Sequence, residues 1–152
     1  MTTRCYESVF KDGTVKEEFR FEISNTPSGL TEGAGAMRDF LDRVGVSAEV
    51  AFALDLTYEE LVTNTIKYAY CDSGEHTIGI VITVDAEAVE LEVIDDGKPF
   101  DPTVQQAPDT SLPVDERPLG GLGLHLVKNL TDAFNYRRAG EHNCVSIRKR
   151  RI

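Results

Sequence analysis

Thr77-Ile-Gly-Ile-Val-Ile-Thr-Val84 is followed, after Asp85-Ala86-Glu87, by Ala88-Val-Glu-Leu-Glu-Val-Ile94. Both segments are rich in β-branched residues, which fit a pleated, half-buried surface, so each predicts a strand. A three-residue link is too short for the helical crossover that parallel neighbours need, so the two strands form a hairpin. The same pairing recurs at both ends of the chain. Cys5 to Phe10 and Glu17 to Ile23 flank the turn chemistry of Lys11-Asp12-Gly13-Thr14, and Phe134 to Arg138 and Cys144 to Lys149 flank Ala139-Gly140-Glu141-His142.

Helical patterns fill the gaps. Asn25-Thr26-Pro27-Ser28 stops the second strand, and Pro27 suits the first turn of a helix reaching about Val44. Met37, Phe40, Leu41 and Val44 form its apolar stripe, and Gly45 closes it. Ala48 to Tyr70 predicts a second helix, with Leu54, Tyr58, Leu61, Val62, Thr65 and Ala69 on one face. Glu60, Asn64 and Lys67 follow one another at i, i+4 and i+7. At ~100° per residue they form a polar stripe on roughly the opposite side. Asp95 to Gly121, with Pro99, Pro102, Pro108 and Pro113, predicts a long loop, and Leu122 to Leu130 a third helix. The order β-β-α-α-β-β-loop-α-β-β predicts an α+β two-layer sandwich, with a mixed, mainly antiparallel sheet and helices on one face. Without regular βαβ alternation, a doubly wound fold is excluded.

The 152 residues, 41% hydrophobic and 28% charged, fit one domain over 1–152. Apolar runs such as Val50 to Leu54 are too short to cross a bilayer, so no membrane partner is expected. Met1 to Tyr6 carries one basic group with no apolar run behind it, so a cytoplasmic location is expected over secretion. Cys5, Cys71 and Cys144 are odd in number and widely spaced, which predicts reduced thiols and no sulfur-bound metal. The formal net charge of −10 repels phosphate backbones and argues against direct nucleic-acid binding. A phosphate ligand must then be held locally by backbone N–H groups, a divalent ion and a few cations. The basic run Arg148-Lys149-Arg150-Arg151 reads as a solvated strand end or frayed tail. His76 at a strand start, His142 in a turn and His125 on the last helix have no partners at metal-ligand spacing.

Three segments carry chemistry. In Glu60-Leu-Val-Thr-Asn64-Thr-Ile-Lys67-Tyr-Ala-Tyr70, Glu60 can accept a proton, Asn64 can offer an oxygen to Mg²⁺, and Lys67 can meet a phosphate as a point charge. The same pattern also describes an exposed helix face. In Ile94-Asp95-Asp96-Gly97-Lys98-Pro99-Phe100-Asp101, a carboxylate at a strand end can accept from an exocyclic amine; it is also an ordinary Asp-Gly turn. In Gly120-Gly121-Leu122-Gly123-Leu124-His125-Leu126, glycines before a helix let backbone N–H groups approach phosphate oxygens. They also suit a hinge or a tight helix contact.

Together these segments resemble the N, G1 and G2 boxes of the Bergerat-fold (GHKL) ATPases, as E-x-x-x-N at Glu60 and Asn64, D-x-G-x-x-F at Asp95, Gly97 and Phe100, and G-x-G-L at Gly121, Gly123 and Leu124. The resemblance covers about Glu18 to Arg150. The phrases Asn64 to Tyr70, Lys98-Pro-Phe-Asp-Pro102, and Gly120 to Val127 followed by Thr131-Asp132 resemble the anti-sigma-factor serine/threonine kinases within that superfamily. The resemblance implies ATP and Mg²⁺ as cofactors, Glu60 as general base, Asn64 as Mg²⁺ ligand and Asp95 as adenine anchor. Gly97 and Phe100 would shape the adenine side, and Gly121, Gly123 and Leu124 would cradle phosphates by backbone. Lys67 and Arg117 would be phosphate cations, and Ser146 the hydroxyl near adenine. Residues 98–119 would be the ATP lid, acidic at Asp109, Asp115 and Glu116, and residues 1–16 an additional N-terminal strand.

The partners implied are an anti-sigma-antagonist (STAS-like) protein, a sigma factor exchanged by partner switching, and a second copy in a homodimer. Two other readings stay open. One is a regulatory ATP-binding module with little or no transfer, which the acidic lid and extra strand favour. The other is the catalytic part of a split histidine kinase, whose phosphoacceptor needs another chain because no histidine precedes Glu60.

Overall fold

Strand β3 (Thr77–Val84) and strand β4 (Ala88–Asp95) pair antiparallel, Ile82 opposite Leu91, and the remaining strands add outward from them. The computed structural model describes residues 4–104, 111, 113 and 121–152. Its other strands are β1 (Cys5–Lys11), β2 (Thr14–Ser24), β5 (Ala133–Ala139) and β6 (His142–Arg150). The six run in the order β1-β2-β3-β4-β6-β5, and every neighbouring pair is antiparallel. The expected mainly antiparallel sheet is therefore antiparallel throughout.

Alternation decides which face is covered. Phe19, Phe21 and Ile23 of β2, Ile78, Ile80 and Ile82 of β3, and Leu91 and Val93 of β4 are buried in one core. Burying side chains of this size contributes roughly 1.5–3 kcal/mol each. Helix α1 (Pro27–Arg43) packs on β2, and α2 (Ala48–Asn64) packs on β4 and β6. Helix α3 (Gly121–Leu130) lies against α2 and β5. Thr26 caps α1 by accepting from the Gly29 amide at 3.1 Å, and Ser47 caps α2 by accepting from the Val50 amide at 3.3 Å. Met37, Phe40 and Leu41 of α1 meet Leu54, Tyr58, Leu61 and Val62 of α2 in that core, matching the expected apolar stripes.

The helix expected over Ala48 to Tyr70 does not stay α-helical. It ends at Asn64, and Thr65–Ala69 form a π turn. Helix ends leave carbonyls without intrahelical partners. Here the Ala69 carbonyl accepts from the Lys98 amide at 2.9 Å, so a distant segment takes over that bond. Short π turns of this kind occur at functional sites.

The basic run at the end of β6 is engaged, and a frayed tail is excluded. Arg148 pairs with Glu90 at 2.6 Å, Arg150 with Asp132 at 3.0 Å, and Arg151 donates to the Asp85 carbonyl at 2.9 Å. Exposed pairs contribute only about 0–1 kcal/mol each, so their effect is mainly to fix the strand end.

The α1–α2 contact depends on a missing side chain. A Cβ on Gly33 would overlap the Tyr58 hydroxyl and lie 2.8 Å from Ile23 Cγ2. Tyr58 cannot yield freely, because its hydroxyl donates to the Leu30 carbonyl at 2.9 Å. Gly33→Ala is expected to destabilise the protein by about 1–3 kcal/mol through overpacking, as a lowered midpoint with unchanged slope in denaturant unfolding.

Candidate functional site

Helix α2, its π turn, the end of β4, the start of α3 and the inner side of β6 converge at one end of the sandwich. Glu60 and Asn64 are half-buried and Lys67 is exposed. Burial raises the Glu60 carboxyl above its ordinary pKa, the neighbouring Glu59 carboxylate raises it further, and the Lys67 ammonium works against both. Helix α3 arrives directly over this carboxylate, since a Cβ on Gly123 would overlap both Glu60 oxygens. The glycine is thus required by close approach. Leu124, next in sequence, is 1% exposed and anchors α3 in the core.

At the other side stands Asp95, 5% exposed at the end of β4. Its Oδ1 accepts from the Gly97 amide at 2.9 Å and from Asn143 Nδ2 at 3.0 Å. Gly97 lies against the π turn, where a Cβ would come 2.5 Å from the Ala69 oxygen and 2.6 Å from Ala69 Cβ. The Gly97 carbonyl accepts from Arg138 at 2.9 Å. Phe100 is 40% exposed, and its amide reaches Asn143 Oδ1 at 3.4 Å.

Between α2 with its π turn and the end of β4 lies a cleft lined by Leu61, Asn64, Thr65, Tyr68, Asp95 and Phe100 among others. Its accessible volume is about 30 Å³, more than the roughly 10–15 Å³ that a single water needs. A wider depression of about 740 Å³ includes Arg20, Glu22, Val81 and Ile94 on the sheet's uncovered face. It is larger but gathers none of the box residues except those flanking Asp95, so the small cleft is the better candidate.

The structure therefore brings Glu60, Asn64, Lys67, Asp95, Gly97, Phe100, Gly123 and Leu124 to one end, with Gly121 as the first residue of α3. Ser146 is not with them. It pairs with Glu92 and Asn135, one residue out of phase with the buried Val145 and Ile147, and so belongs to the sheet face away from the helices. The inward polar residue of β6 is Asn143, 2% exposed. It hides in the sequence beside a Gly-Glu-His turn; its one signal is that it alternates in phase with Val145 and Ile147. Arg117, Gly120 and lid residues 105–110, 112 and 114–119 lie outside the described residues.

The histidines also acquire places. His76 stacks on Tyr70 with ring centroids 3.9 Å apart, and its Nε2 lies 2.8 Å from Asp72 Oδ1. His125 Nε2 lies 3.2 Å from Asn129 Nδ2, and His142 opens β6. Among the described residues no group of three or more His, Cys, Asp or Glu could hold a metal. A Mg²⁺ ion at Asn64 would thus need phosphates and water to complete its oxygen shell. Cys5, Cys71 and Cys144 are all free thiols, and among the described residues no helix is long and apolar enough to cross a membrane.

Comparison with known proteins supplies the family. The histidine kinase-like ATPase domain matches residues 23–149. A serine/threonine-protein kinase, BtrW of Bordetella bronchiseptica, is 25% identical over 83% of this chain and 89% of its own. The serine-protein kinase RsbW of Listeria monocytogenes is 28% identical over 78% of both chains. The fold is shared with a crystal structure of RsbU and RsbW domains from Mycobacterium tuberculosis, at TM-score 0.63 and 14% identity. That match spans 88% of this chain and 32% of the longer one. With its boxes gathered at one end of an antiparallel α+β sandwich, the chain belongs to the histidine kinase-like ATPase domain family, within its serine/threonine protein kinase branch.

Proposed function

We propose that this protein phosphorylates a serine on an anti-sigma-antagonist (STAS-like) partner, using ATP and Mg²⁺, and regulates a sigma factor by partner switching. The observation that carries the reading is the seating of Gly123 on the Glu60 carboxylate. It puts a proton acceptor beside the backbone that opens α3, where N–H groups and the helix dipole favour phosphate. Asp95, fixed by two donors at Oδ1, stands across the cleft as acceptor for an adenine amine.

Each residue then has one task. Glu60 takes the proton of the attacking serine hydroxyl, Asn64 offers its side-chain oxygen to the metal, and Lys67 adds a cation near the phosphates. Arg117 is assigned a similar task from the lid. When bound, Mg²⁺·ATP supplies the phosphoryl group and neutralises charge on the leaving diphosphate. The reading carries with it a cytoplasmic location and a homodimer. A non-catalytic ATP-binding module is the outcome if nucleotide binds and no partner is labelled.

Glu60→Gln, incubated with labelled ATP and a STAS-like acceptor domain, is expected to lose about 10²-fold or more in transfer while ATP affinity changes little. Equal loss of binding and transfer would sink the general-base assignment. Because burial and Glu59 raise the Glu60 carboxyl, transfer should decline on acidification at a pH above the ordinary carboxylate range of about 4–4.5. A base works only when deprotonated, so Glu59→Gln, by lowering that pKa, should move the acidic limb of the pH–rate profile to lower pH. Chelation of divalent ions should abolish transfer, and Asn64→Ala should raise the Mg²⁺ concentration needed for half-maximal rate.

A further inference from the structure

Asn143 has no place among the boxes, yet it is almost fully buried and hydrogen-bonds Asp95, Lys98 and Phe100. Its Nδ2 donates to Asp95 Oδ1 at 3.0 Å and to the Lys98 carbonyl at 2.9 Å, with a weaker approach to the Gly97 carbonyl at 3.5 Å. Its Oδ1 accepts from the Tyr136 hydroxyl at 2.6 Å and from the Phe100 amide at 3.4 Å. An amide has two donor hydrogens and one acceptor oxygen, and each is used here. The Tyr136 hydroxyl can also accept, but Phe100 N–H can only donate. With two carbonyls and a carboxylate around Nδ2, the amide has one sensible orientation.

We propose that Asn143, with Tyr136 behind it, is a positioning residue that sets the Asp95 carboxylate for adenine and fastens the Lys98–Phe100 segment to the sheet. By holding Oδ1 through a fixed donor, the amide leaves the Asp95 carboxylate committed as an acceptor facing the cleft. An adenine edge presents an amine donor at the position where guanine presents a carbonyl acceptor. A fixed acceptor welcomes the first and repels the second, so the rigidity of Asp95 is what sharpens the choice of base. The same side chain ties the segment leading into the lid, so base recognition and the root of the lid share one brace.

This inference rests on Asp95 being the adenine anchor, and the experiment separates the two. ATP and GTP dissociation constants are measured by calorimetry for the wild type, Asp95→Ala, Asn143→Ala, Asn143→Asp and Tyr136→Phe, with thermal unfolding recorded for each. Asn143→Ala is expected to weaken ATP by at least about tenfold, since a charge-linked hydrogen bond is lost, and to narrow the ATP-over-GTP preference. Tyr136→Phe should weaken ATP by a few-fold in the same direction.

Asn143→Asp keeps the volume but sets a second carboxylate against Asp95. Two such groups retain a shared proton until pH rises beyond the usual carboxylate range. ATP affinity of this variant should therefore fall as pH rises, because the shared proton leaves and the two charges part. The wild type should show no matching fall. The charged and titratable neighbours Asp96, Tyr70 and Arg138 remain in place in every variant.

A purely structural Asn143 would lower the unfolding temperature without moving the ATP-to-GTP ratio or creating this pH dependence, and that result overturns the proposal. If Asn143→Ala does not fold, Asn143→Asp and Tyr136→Phe decide by the same two readouts. If Asp95→Ala leaves ATP affinity unchanged, the adenine site itself is misassigned and the proposal falls with it. If Asp95→Ala abolishes binding while the Asn143 and Tyr136 variants match the wild type, the proposal alone fails.

Discussion

The hydrogen bond from the Lys98 amide to the Ala69 carbonyl joins the two halves of this site. It exists because Gly97 has no side chain to hold the chains apart. The π turn ends there and the segment after β4 begins there, so the helix bearing Glu60 and Asn64 and the strand bearing Asp95 are fixed to one another through backbone. A bond between main-chain groups tolerates many side chains around it, but any β-carbon at 97 would drive helix and loop apart. The spacing between Glu60 and Asn64 on one side and Asp95 on the other is thus set by an atom that is missing.

The chain's net charge of −10 is no obstacle to an anionic ligand at such a place. Charge is managed regionally. On the sheet, acidic and basic side chains pair with one another: Arg148 of β6 with Glu90 of β4, Arg137 of β5 with Glu92 of β4, and Arg20 with Glu18 two residues away on β2. Surface pairs of this kind are screened over about 8–10 Å at physiological salt. What matters near Glu60 is local: half-burial, one like-charged neighbour and one lysine.

Element order and pairing were legible because they follow from short-range rules: β-branched runs, three- or four-residue turns and a proline at a helix start. Glu60, Asn64 and Asp95 were legible only as members of a family pattern, since each alone has an ordinary structural reading. Two features escaped for physical reasons. The π turn depends on a carbonyl claimed by a residue in another segment, which helical periodicity within 48–70 does not contain. The inward polar residue of β6 depends on strand phase, where a slip of one position exchanges faces. The Ser146 hydroxyl, which the family resemblance singles out, lies on the outward phase, while Asn143, in phase with Val145 and Ile147, lies on the other.

The β1–β2 hairpin also decides which strand forms one margin of the sheet. Tyr6 of β1 sits edge-on to Phe40 of α1 with ring centroids 5.9 Å apart, under the Arg43 guanidinium at 4.3 Å, which clips the strand to the helix layer. Stripped of β1, the eleven-residue β2 would be the margin of the sheet, offering a long open ladder beside Phe19, Phe21 and Ile23. Such margins recruit strands from other molecules. With β1 in place the margin moves to a seven-residue strand carrying Glu7 and bounded by a tight turn. The hairpin thereby works as a selvedge, leaving a shorter strand with a charged residue at that margin of the sheet.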